Sequence, residues 1–190
     1  MEMQQALWTD WMSPCGRITM ADMAGRLVMA DWTDGWHHAT VTRRIERRAK
    51  VFFVEGRTPL IDRTIEELEA YFAGERRTFD LPLAYYGTDF QIRVWRALER
   101  IPYGRLVTYA DIAREAGSPR ATRAAGVAVG ENPFTIIVPC HRVVGRDGTL
   151  TGYGGGYAAK RRLLALEMGV AEDAIGFENG AEKHGRAGFE

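Results

Sequence analysis

The sequence predicts an α+β protein in which a β-rich first part precedes a helical second part. Two alternating apolar runs flank residues 22–25, a pattern typical of a β-hairpin. Apolar residues at helical spacing appear around residue 65 and again at several places after residue 88. With 190 residues, of which 46% are hydrophobic, the chain is long enough for one large or two small globular domains.

Further strands and one helix are predicted in the first part of the chain. Residues 38–44 and residues 50–56 each predict a strand after the hairpin. Residues 62–75 place apolar side chains at helical spacing, and we expect an amphipathic helix that ends at Gly74.

A linker is predicted at residues 76–87, which contain a proline and show no periodicity. We therefore expect an N-terminal α/β domain with its linker at residues 1–86, and a second domain at residues 87–170. Residues 171–190 also lack periodicity, and we expect them to form a mobile tail.

The second part of the chain reads as a series of helices. Thr88 and Gln91 form a capping-box pattern at the start of an apolar-faced helix. Ser118 followed by Pro119 is a typical helix start, with the serine as N-cap. Helical patterns after the first one lie at residues 108–117, 118–132 and 157–169.

Charge is unevenly distributed although the formal net charge is zero. Residues 91–167 hold 12 Lys and Arg but only 6 Asp and Glu. A basic segment favours a polyanionic partner, although an uneven solvated surface gives the same count. No apolar stretch approaches the roughly 18 residues of a membrane span, and the N-terminus lacks the pattern of a secretory signal. We expect a cytoplasmic protein without a membrane partner, and two cysteines in 190 residues suit a reducing compartment.

Residues 108–130 have the pattern of a helix-turn-helix. Two short helices meet at Gly117, and the second carries Arg120 and Arg123. Its small residues would let the backbone approach a grooved partner closely; they are Ala121, Ala124, Ala125 and Gly126. An ordinary packed pair of helices gives the same pattern, so both interpretations stay open.

Cys140 lies in the segment TIIVPCHRVVG, residues 135–145. The β-branched run before it predicts a buried strand, and Pro139 makes a turn at the cysteine plausible. Such a turn is needed, because adjacent strand residues point to opposite faces and His141 would otherwise face away. We expect the neighbouring cationic side chains, His141, Arg142 and Arg146, to favour the thiolate over a thiol of ordinary pKa near 8.5.

Cys140 has three other interpretations. A structural zinc site needs a second pair of ligands, and the remaining cysteine and histidines form none; they are Cys15, His37, His38 and His184. We therefore predict no metal. A buried inert cysteine is common, but the cationic neighbourhood argues against it. A cysteine hydrolase needs a distant base and an orienting residue, for which no strong candidate appears.

A glycine-rich stretch follows the cysteine segment. Its glycines, Gly152, Gly154, Gly155 and Gly156, allow a tight loop whose exposed amides open a helix. The stretch is not a phosphate-binding P-loop, because no Gly-Lys-Ser/Thr follows. On its own it is equally consistent with a simple turn.

Taken together, NPFTIIVPCHRVV, TGYGGG and KRRLLALE resemble the O6-alkylguanine–DNA alkyltransferases, over roughly residues 88–167. The resemblance implies an N-terminal domain with a ribonuclease-H-like sheet and a helical domain with a helix-turn-helix. It implies DNA repair without a cofactor, by a protein that acts as a monomer on double-stranded DNA containing O6-alkylguanine. The alkyl group passes irreversibly from a flipped-out guanine, or from O4-alkylthymine in some cases, to Cys140.

The same resemblance implies roles for individual residues. His141 deprotonates the thiol through a water molecule, and Glu167 completes the relay. Tyr109 assists flipping and protonates the departing guanine, while hydrogen bonds of Asn132 shape the reactive turn. Arg123 fills the gap in the duplex. Further residues are expected at the DNA, namely Arg120, Ala121 and Ala124, or in the base pocket, namely Tyr153, Gly154, Val143 and Pro139.

Two departures from the family pattern bear on function. Some members carry a small hydroxyl residue at the position of Gly154, so the range of adducts is open. Some have an N-terminal zinc site, which Cys15, His37 and His38 do not reproduce. A lesion-binding protein that does not react stays open beside the transferase, and so does a cysteine hydrolase, which would turn over repeatedly.

Overall fold

The computed structural model describes residues 3–150 and 152–175. Its first half contains a four-stranded sheet. The strands are listed in chain order as β1 (Gln4–Ser13), β2 (Gly16–Met23), β3 (Arg26–Trp32) and β4 (Val51–Glu55). Their order in the sheet is β3-β2-β1-β4, and only the β1–β4 pair is parallel. The predicted hairpin is confirmed as β2–β3, with Ala24 and Gly25 at positive φ in its turn. Strand β1 was not predicted.

Two helices cover opposite faces of this sheet, α1 (His38–Ala49) and α2 (Pro59–Phe72). Successive residues of β2 point to opposite faces of the sheet. Ala21 packs in an apolar cluster with residues of α1, and Met20 packs in the cluster that contains residues of α2. The predicted helix at residues 62–75 is confirmed as the main part of α2. The strand at residues 50–56 is confirmed as β4.

The strand predicted at residues 38–44 is wrong, because this segment begins α1. Its β-branched residues suggested a strand, yet the buried side chains of the helix are Val41, Arg44 and Ile45. This i, i+3, i+4 spacing is helical and becomes visible only when the pattern is followed beyond residue 44.

The second half is helical, as predicted. Its helices are α3 (Asp89–Glu99), α4 (Tyr109–Glu115), α5 (Thr122–Gly130) and α6 (Gly156–Met168). The capping box of Thr88 and Gln91 is confirmed at α3, and Gly169 ends α6 at φ 67°. Two short parallel strands, β5 (Val107–Thr108) and β6 (Val143–Val144), tie the start of α4 to the segment after Cys140.

Helix α5 begins later than predicted. Ala121, and not Ser118, occupies its N-cap position. The amide of Ser118 donates instead to the carbonyl of Ala113, after Gly117 at φ 74°. This is the backbone pattern that closes the end of a helix, so Ser118 terminates α4 and Pro119 lies in the following turn.

The two halves share one continuous apolar core. Residues 76–87 connect them without a helix or an extended strand, and residues 82–84 pair with Leu27 of β3. Arg44 of α1 reaches across to Glu131 at the end of α5, with an Nη1–Oε2 distance of 3.0 Å. It also donates to the carbonyls of Tyr86 and Glu131 and lies over the ring of Trp95.

The start of the predicted mobile tail is packed against the helical half. Ile175 is buried with Leu150 and Leu164, while residues 171–174 are exposed, and mobility of this segment stays a prediction. The rest of the predicted tail, residues 176–190, lies outside the described residues. None of the helices in the described ranges is both long enough and apolar enough to cross a bilayer.

Arg44→Ala is expected to lower the free energy of unfolding by about 3 kcal/mol, because it leaves Glu131 and two carbonyls without their buried partner. Arg47→Ala, on the exposed face of the same helix, should change it by no more than about 0.5 kcal/mol. Urea unfolding measures both. Equal values for the two variants would contradict a stabilising role of Arg44 between the halves.

Candidate active site

The segment before Cys140 is a compact turn, so the predicted buried strand is wrong. The amide of Thr135 donates to the carbonyl of Ala30 on strand β3 at 2.7 Å, and the chain then folds back on itself. Ile136 adopts φ 66°, a left-handed conformation that is rare for a β-branched residue. The β-branched residues favour a strand, but contacts with other parts of the protein, such as strand β3, hold this segment in a turn. The turn that Pro139 suggested is present as a 3₁₀ helix over Cys140–Arg142.

The buried side chain of Asn132 stabilises this turn through hydrogen bonds. Its Nδ2 donates to the carbonyl of Val138 at 2.8 Å and lies 3.1 Å from Sγ of Cys140. Its Oδ1 accepts from the amide of Phe134 at 3.0 Å. One buried amide thus fixes both ends of the turn and contacts the sulfur.

The Cys140 thiol is buried, with 7% of the residue exposed. Burial raises its pKa to about 11, against the lowering effects of the Asn132 amide and the charge of Lys160. The expectation that the adjacent cations favour a thiolate is therefore wrong for this conformation. Arg142 is engaged by Glu167 and the Ile101 carbonyl, and Arg146 lies exposed in the following loop.

His141 is fully buried behind the cysteine. Its Nε2 lies 2.7 Å from Oε1 of Glu167, which assigns the proton to Nε2. Nδ1 then carries the lone pair, and it has no hydrogen-bond partner among the described residues. Burial lowers the pKa of His141, while the bond and charge of Glu167 oppose that effect. The ring is neutral and able to accept one proton at Nδ1.

Glu167 collects five hydrogen bonds in a site without solvent access. The donors are the Tyr71 hydroxyl, the Gly104 amide, two groups of Arg142 and the His141 ring. Burial opposes its ionisation, but the hydrogen bonds and charges of His141 and Arg142 prevail and hold its pKa well below the usual range. Glu167 is therefore a buried carboxylate, although it lies one residue before the end of α6.

Two buried residues of this site were missed from the sequence. Lys160 donates from Nζ to the carbonyl of Val143 at 2.5 Å, and burial lowers its pKa to about 8. Its position seven residues before Glu167 puts both on one face of α6, and that spacing was the available signal. Tyr71 comes from α2 of the other half, and nothing in the local sequence indicated its contact with Glu167.

The residues expected in the base pocket lie around the turn. Tyr153 is buried, and its hydroxyl is 3.0 Å from Oγ1 of Thr135. Val143 is buried in β6, whereas Pro139 lines a separate cleft beside Arg142. Gly154 has no room for a side chain, since an added Cβ would lie 1.8 Å from the ring of His37. That packing explains the departure from members with a hydroxyl residue there.

The residues expected at DNA lie on α4, on α5 and in the turn between them; Arg120 lies in this turn and not on the second helix as predicted, because α5 begins at Thr122. Arg120, Arg123 and Ala124 are exposed, and Ala121 is half-buried. Tyr109, the first residue of α4, packs its ring against Gly126 of α5, where an added Cβ would lie 3.6 Å away. A cleft of about 440 Å³ opens between Tyr109, Arg123 and Gly152. Pairing of β5 with β6 brings this cleft close to the Cys140 turn.

Metal ligation finds no support in the described residues. His37 and His38 both approach the buried carboxylate of Asp31, at 3.5 and 3.2 Å. Within residues 3–150 and 152–175, no group of three or more His, Cys, Asp or Glu side chains is arranged to hold an ion.

Comparison with known proteins gives matches to both halves. Residues 7–85 match the 6-O-methylguanine DNA methyltransferase ribonuclease-like domain, and residues 89–169 match the DNA-binding domain of the same family. The predicted α+β class, with a ribonuclease-like first half and a helical second half, is confirmed by these matches and by the fold.

Curated relatives are named methylated-DNA–protein-cysteine methyltransferases. One from Mycolicibacterium paratuberculosis is 57% identical over 103 residues, which cover 54% of this chain and 62% of the relative, less than two thirds of its length. The constitutive protein of Bacillus subtilis is 42% identical over 168 residues, with 86% of this chain and 93% of the relative covered.

Solved structures agree over nearly the whole described chain. The Mycobacterium tuberculosis O6-methylguanine methyltransferase superposes with a TM-score of 0.73 at 42% identity, over 87% of this chain and 94% of that one. The M. tuberculosis protein in complex with DNA gives a TM-score of 0.75 at 40% identity, over 90% and 99%. The matches to both domains and the relative matched over 93% of its length lead to one conclusion: the chain belongs to the 6-O-methylguanine DNA methyltransferase family, the methylated-DNA–protein-cysteine methyltransferases.

Proposed function

We propose that this chain repairs DNA by moving the alkyl group of an O6-alkylguanine onto its own Cys140. The observation that carries the proposal is the Cys140 turn, in which a buried thiol adjoins a neutral histidine whose tautomer Glu167 fixes. A relative in this family has been solved in complex with DNA, which supports DNA as the partner.

The reaction needs two proton movements. Nδ1 of His141 takes the thiol proton, directly or through one water, and the sulfur then attacks the alkyl carbon. A carbon–sulfur bond forms, the carbon–O6 bond breaks, and the electron pair leaves with guanine. The Tyr109 hydroxyl protonates the departing base and regains its proton from solvent or from His141. Glu167 stabilises the imidazolium while it exists.

The target base must leave the duplex to reach the sulfur. An O6-alkyl carbon within a base stack is inaccessible to in-line attack, and extrusion costs a few kcal/mol. Arg123 is exposed beside the cleft and is long enough to fill the gap. Arg120, three residues earlier and also exposed, is available to bind a backbone phosphate. Ala121 and Ala124 let α5 approach the groove closely.

The closed thiol implies movement of the pocket loop. Tyr153 is buried beside the turn, and only 7% of Cys140 is exposed. We infer that Tyr153 and Gly154 shift to form the pocket wall around the base, with Val143 and Pro139 as its fixed part. O4-alkylthymine presents a similar alkoxy group to the same pocket.

The proposal includes the domain bounds, the oligomeric state and the location of the protein. Residues 1–86 form the N-terminal domain and residues 87–170 the alkyltransferase domain, which acts as a monomer in the cytoplasm or at the nucleoid. No cofactor takes part, because the nucleophile, the base and the acid are all side chains of this chain.

Mixing the protein with duplex DNA containing O6-methylguanine should add the mass of one methyl group, on Cys140, and then stop. The product is a thioether, which water activated by His141 cannot hydrolyse as it would an acyl-enzyme. Intact-protein mass spectrometry and peptide mapping measure this. Cys140→Ser should bind the duplex without gaining mass. More than one guanine repaired per protein would instead support a hydrolase, and a wild-type protein that binds without gaining mass would support a lesion sensor.

Cys15 is the internal control for this assignment. Burial raises its pKa to about 11, and the charge of nearby Arg162 offsets only part of that effect. Arg162 is thus a cationic neighbour of Cys15, but no histidine follows Cys15 in the sequence as His141 follows Cys140, and Cys15 should stay unmodified. A methyl group on Cys15 would overturn the choice of nucleophile.

Arg123→Ala should slow repair of duplex DNA by at least about tenfold more than it slows reaction with free O6-benzylguanine, because only the duplex has a gap to fill. Arg120→Ala is the matched control, and it should weaken binding to any duplex and reduce the salt slope by about one unit. Single-turnover rates and binding at several salt concentrations distinguish them. Equal losses on both substrates would remove the gap-filling role of Arg123.

Glu167→Gln should lower stability near neutral pH by about 3–5 kcal/mol, since buried Arg142 loses its counter-charge. The folded-state pKa of Glu167 lies below its reference value of 4.5, so the unfolded chain binds that proton more readily. The stabilisation is therefore complete above about pH 5 and is lost as the pH falls. The variant should lose less stability than the wild type between pH 5 and 3. Exposed Glu172→Gln is the control, and parallel pH profiles in urea unfolding would contradict this role.

A further inference from the structure

Trp36 is a large aromatic side chain that the fold leaves in solvent, with 70% of the residue exposed. It follows strand β3, in the N-terminal half. The remaining tryptophans, Trp8, Trp11, Trp32 and Trp95, are all buried or half-buried. Tryptophan is mostly buried in folded proteins and is enriched where one protein surface meets a partner.

The indole stands at the edge of the cleft formed by α4 and α5. Trp36 lines this cleft together with Tyr109, Arg123 and Gly152. An added Cβ at Gly130, near the end of α5, would lie 3.5 Å from the indole ring. A residue of the N-terminal half therefore completes a surface whose other walls belong to the helix-turn-helix.

The loop that carries Trp36 is braced from below. The amide of Gly35 donates to the Trp32 carbonyl at 2.9 Å, and the amide of His38 donates to the Gly35 carbonyl at 3.0 Å. His37 is buried, with Nε2 3.5 Å from Oδ1 of the fully buried Asp31. Its ring packs edge-on against Trp36, with the centroids 4.9 Å apart. The exposed indole is thus held in place before any partner arrives.

Packing within the protein does not account for this arrangement. With most of its surface in water, Trp36 contributes little burial of apolar area to the fold. His37 and Asp31 could hold the loop against Gly154 with any small residue at position 36. Placement of a rigid aromatic ring beside a cationic side chain, at a cleft lined by glycines, is typical of a surface that stacks on nucleotides.

We propose that Trp36 is a DNA-contacting residue of the N-terminal domain, and that its indole stacks on the nucleotide at the mouth of the cleft next to Arg123. This inference rests on the proposed binding of DNA by α4 and α5, and its surface is continuous with that interface. Base–aromatic stacking tolerates any sequence, because every base has a π-face. It therefore suits a protein that must bind a lesion in any sequence context.

Trp36→Ala should weaken binding of Cys140→Ser protein to O6-methylguanine duplex by about 5- to 100-fold, and Trp36→Phe should recover part of the loss. Met12→Ala, at another exposed apolar residue of the N-terminal half, should bind like the parent. In single-turnover assays, Trp36→Ala should lose at least fivefold more rate on the duplex than on free O6-benzylguanine. Losses equal to those of Met12→Ala would overturn the proposal.

Fluorescence gives a direct readout of stacking. Binding of duplex DNA should quench the protein emission, and Trp36→Phe should abolish most of that quenching, whereas Trp11→Phe should retain it. Quenching that persists in Trp36→Phe would contradict a contact with the indole. Failure of the proposed function is distinct, since the unmodified protein would then gain no methyl group from alkylated duplex at all.

Discussion

The buried carboxylate of Glu167 is the point on which the site and the packing of the two halves both depend. It binds a hydroxyl from α2, a backbone amide after α3 and the side chains of His141 and Arg142. Removing a carboxylate from water is expensive unless its oxygens are fully hydrogen-bonded, and five donors meet that condition here. The same bonds orient the histidine. Stability and reactivity are therefore coupled through one side chain.

The N-terminal half shapes the turn that carries Cys140. Strand β3 offers its edge to the chain just before that turn, where Ala30 donates to the Pro133 carbonyl and accepts from the Thr135 amide. These bonds satisfy an otherwise open strand edge. They also hold Ile136 in a conformation that its own side chain disfavours.

Local patterns predicted most of the helices and the hairpin, whereas the roles of the site residues came from the family resemblance and stay predictions. The capping box of Thr88 and the glycine after α6 specify helix ends through interactions a few residues apart, so they can be read directly. Prediction from the sequence failed where contacts between distant residues determine the local conformation. Residues 135–138 look like a strand, but Asn132 and strand β3 turn them. The link from Tyr71 to Glu167 joins residues 96 apart, and no local pattern encodes it.

The raised pKa of Cys140 is consistent with a protein that reacts once. If the protein reacts only once, as we propose, a permanent thiolate would be lost to electrophiles other than its target. Burial keeps the proton on sulfur, while Nδ1 of His141 stands ready to accept it. Opening of the loop around Tyr153 would both admit the base and change the surroundings of the thiol. If Cys140 is the nucleophile, as we propose, it would then become reactive mainly when the alkyl carbon is in place, and burial would add to the specificity that recognition of the base provides.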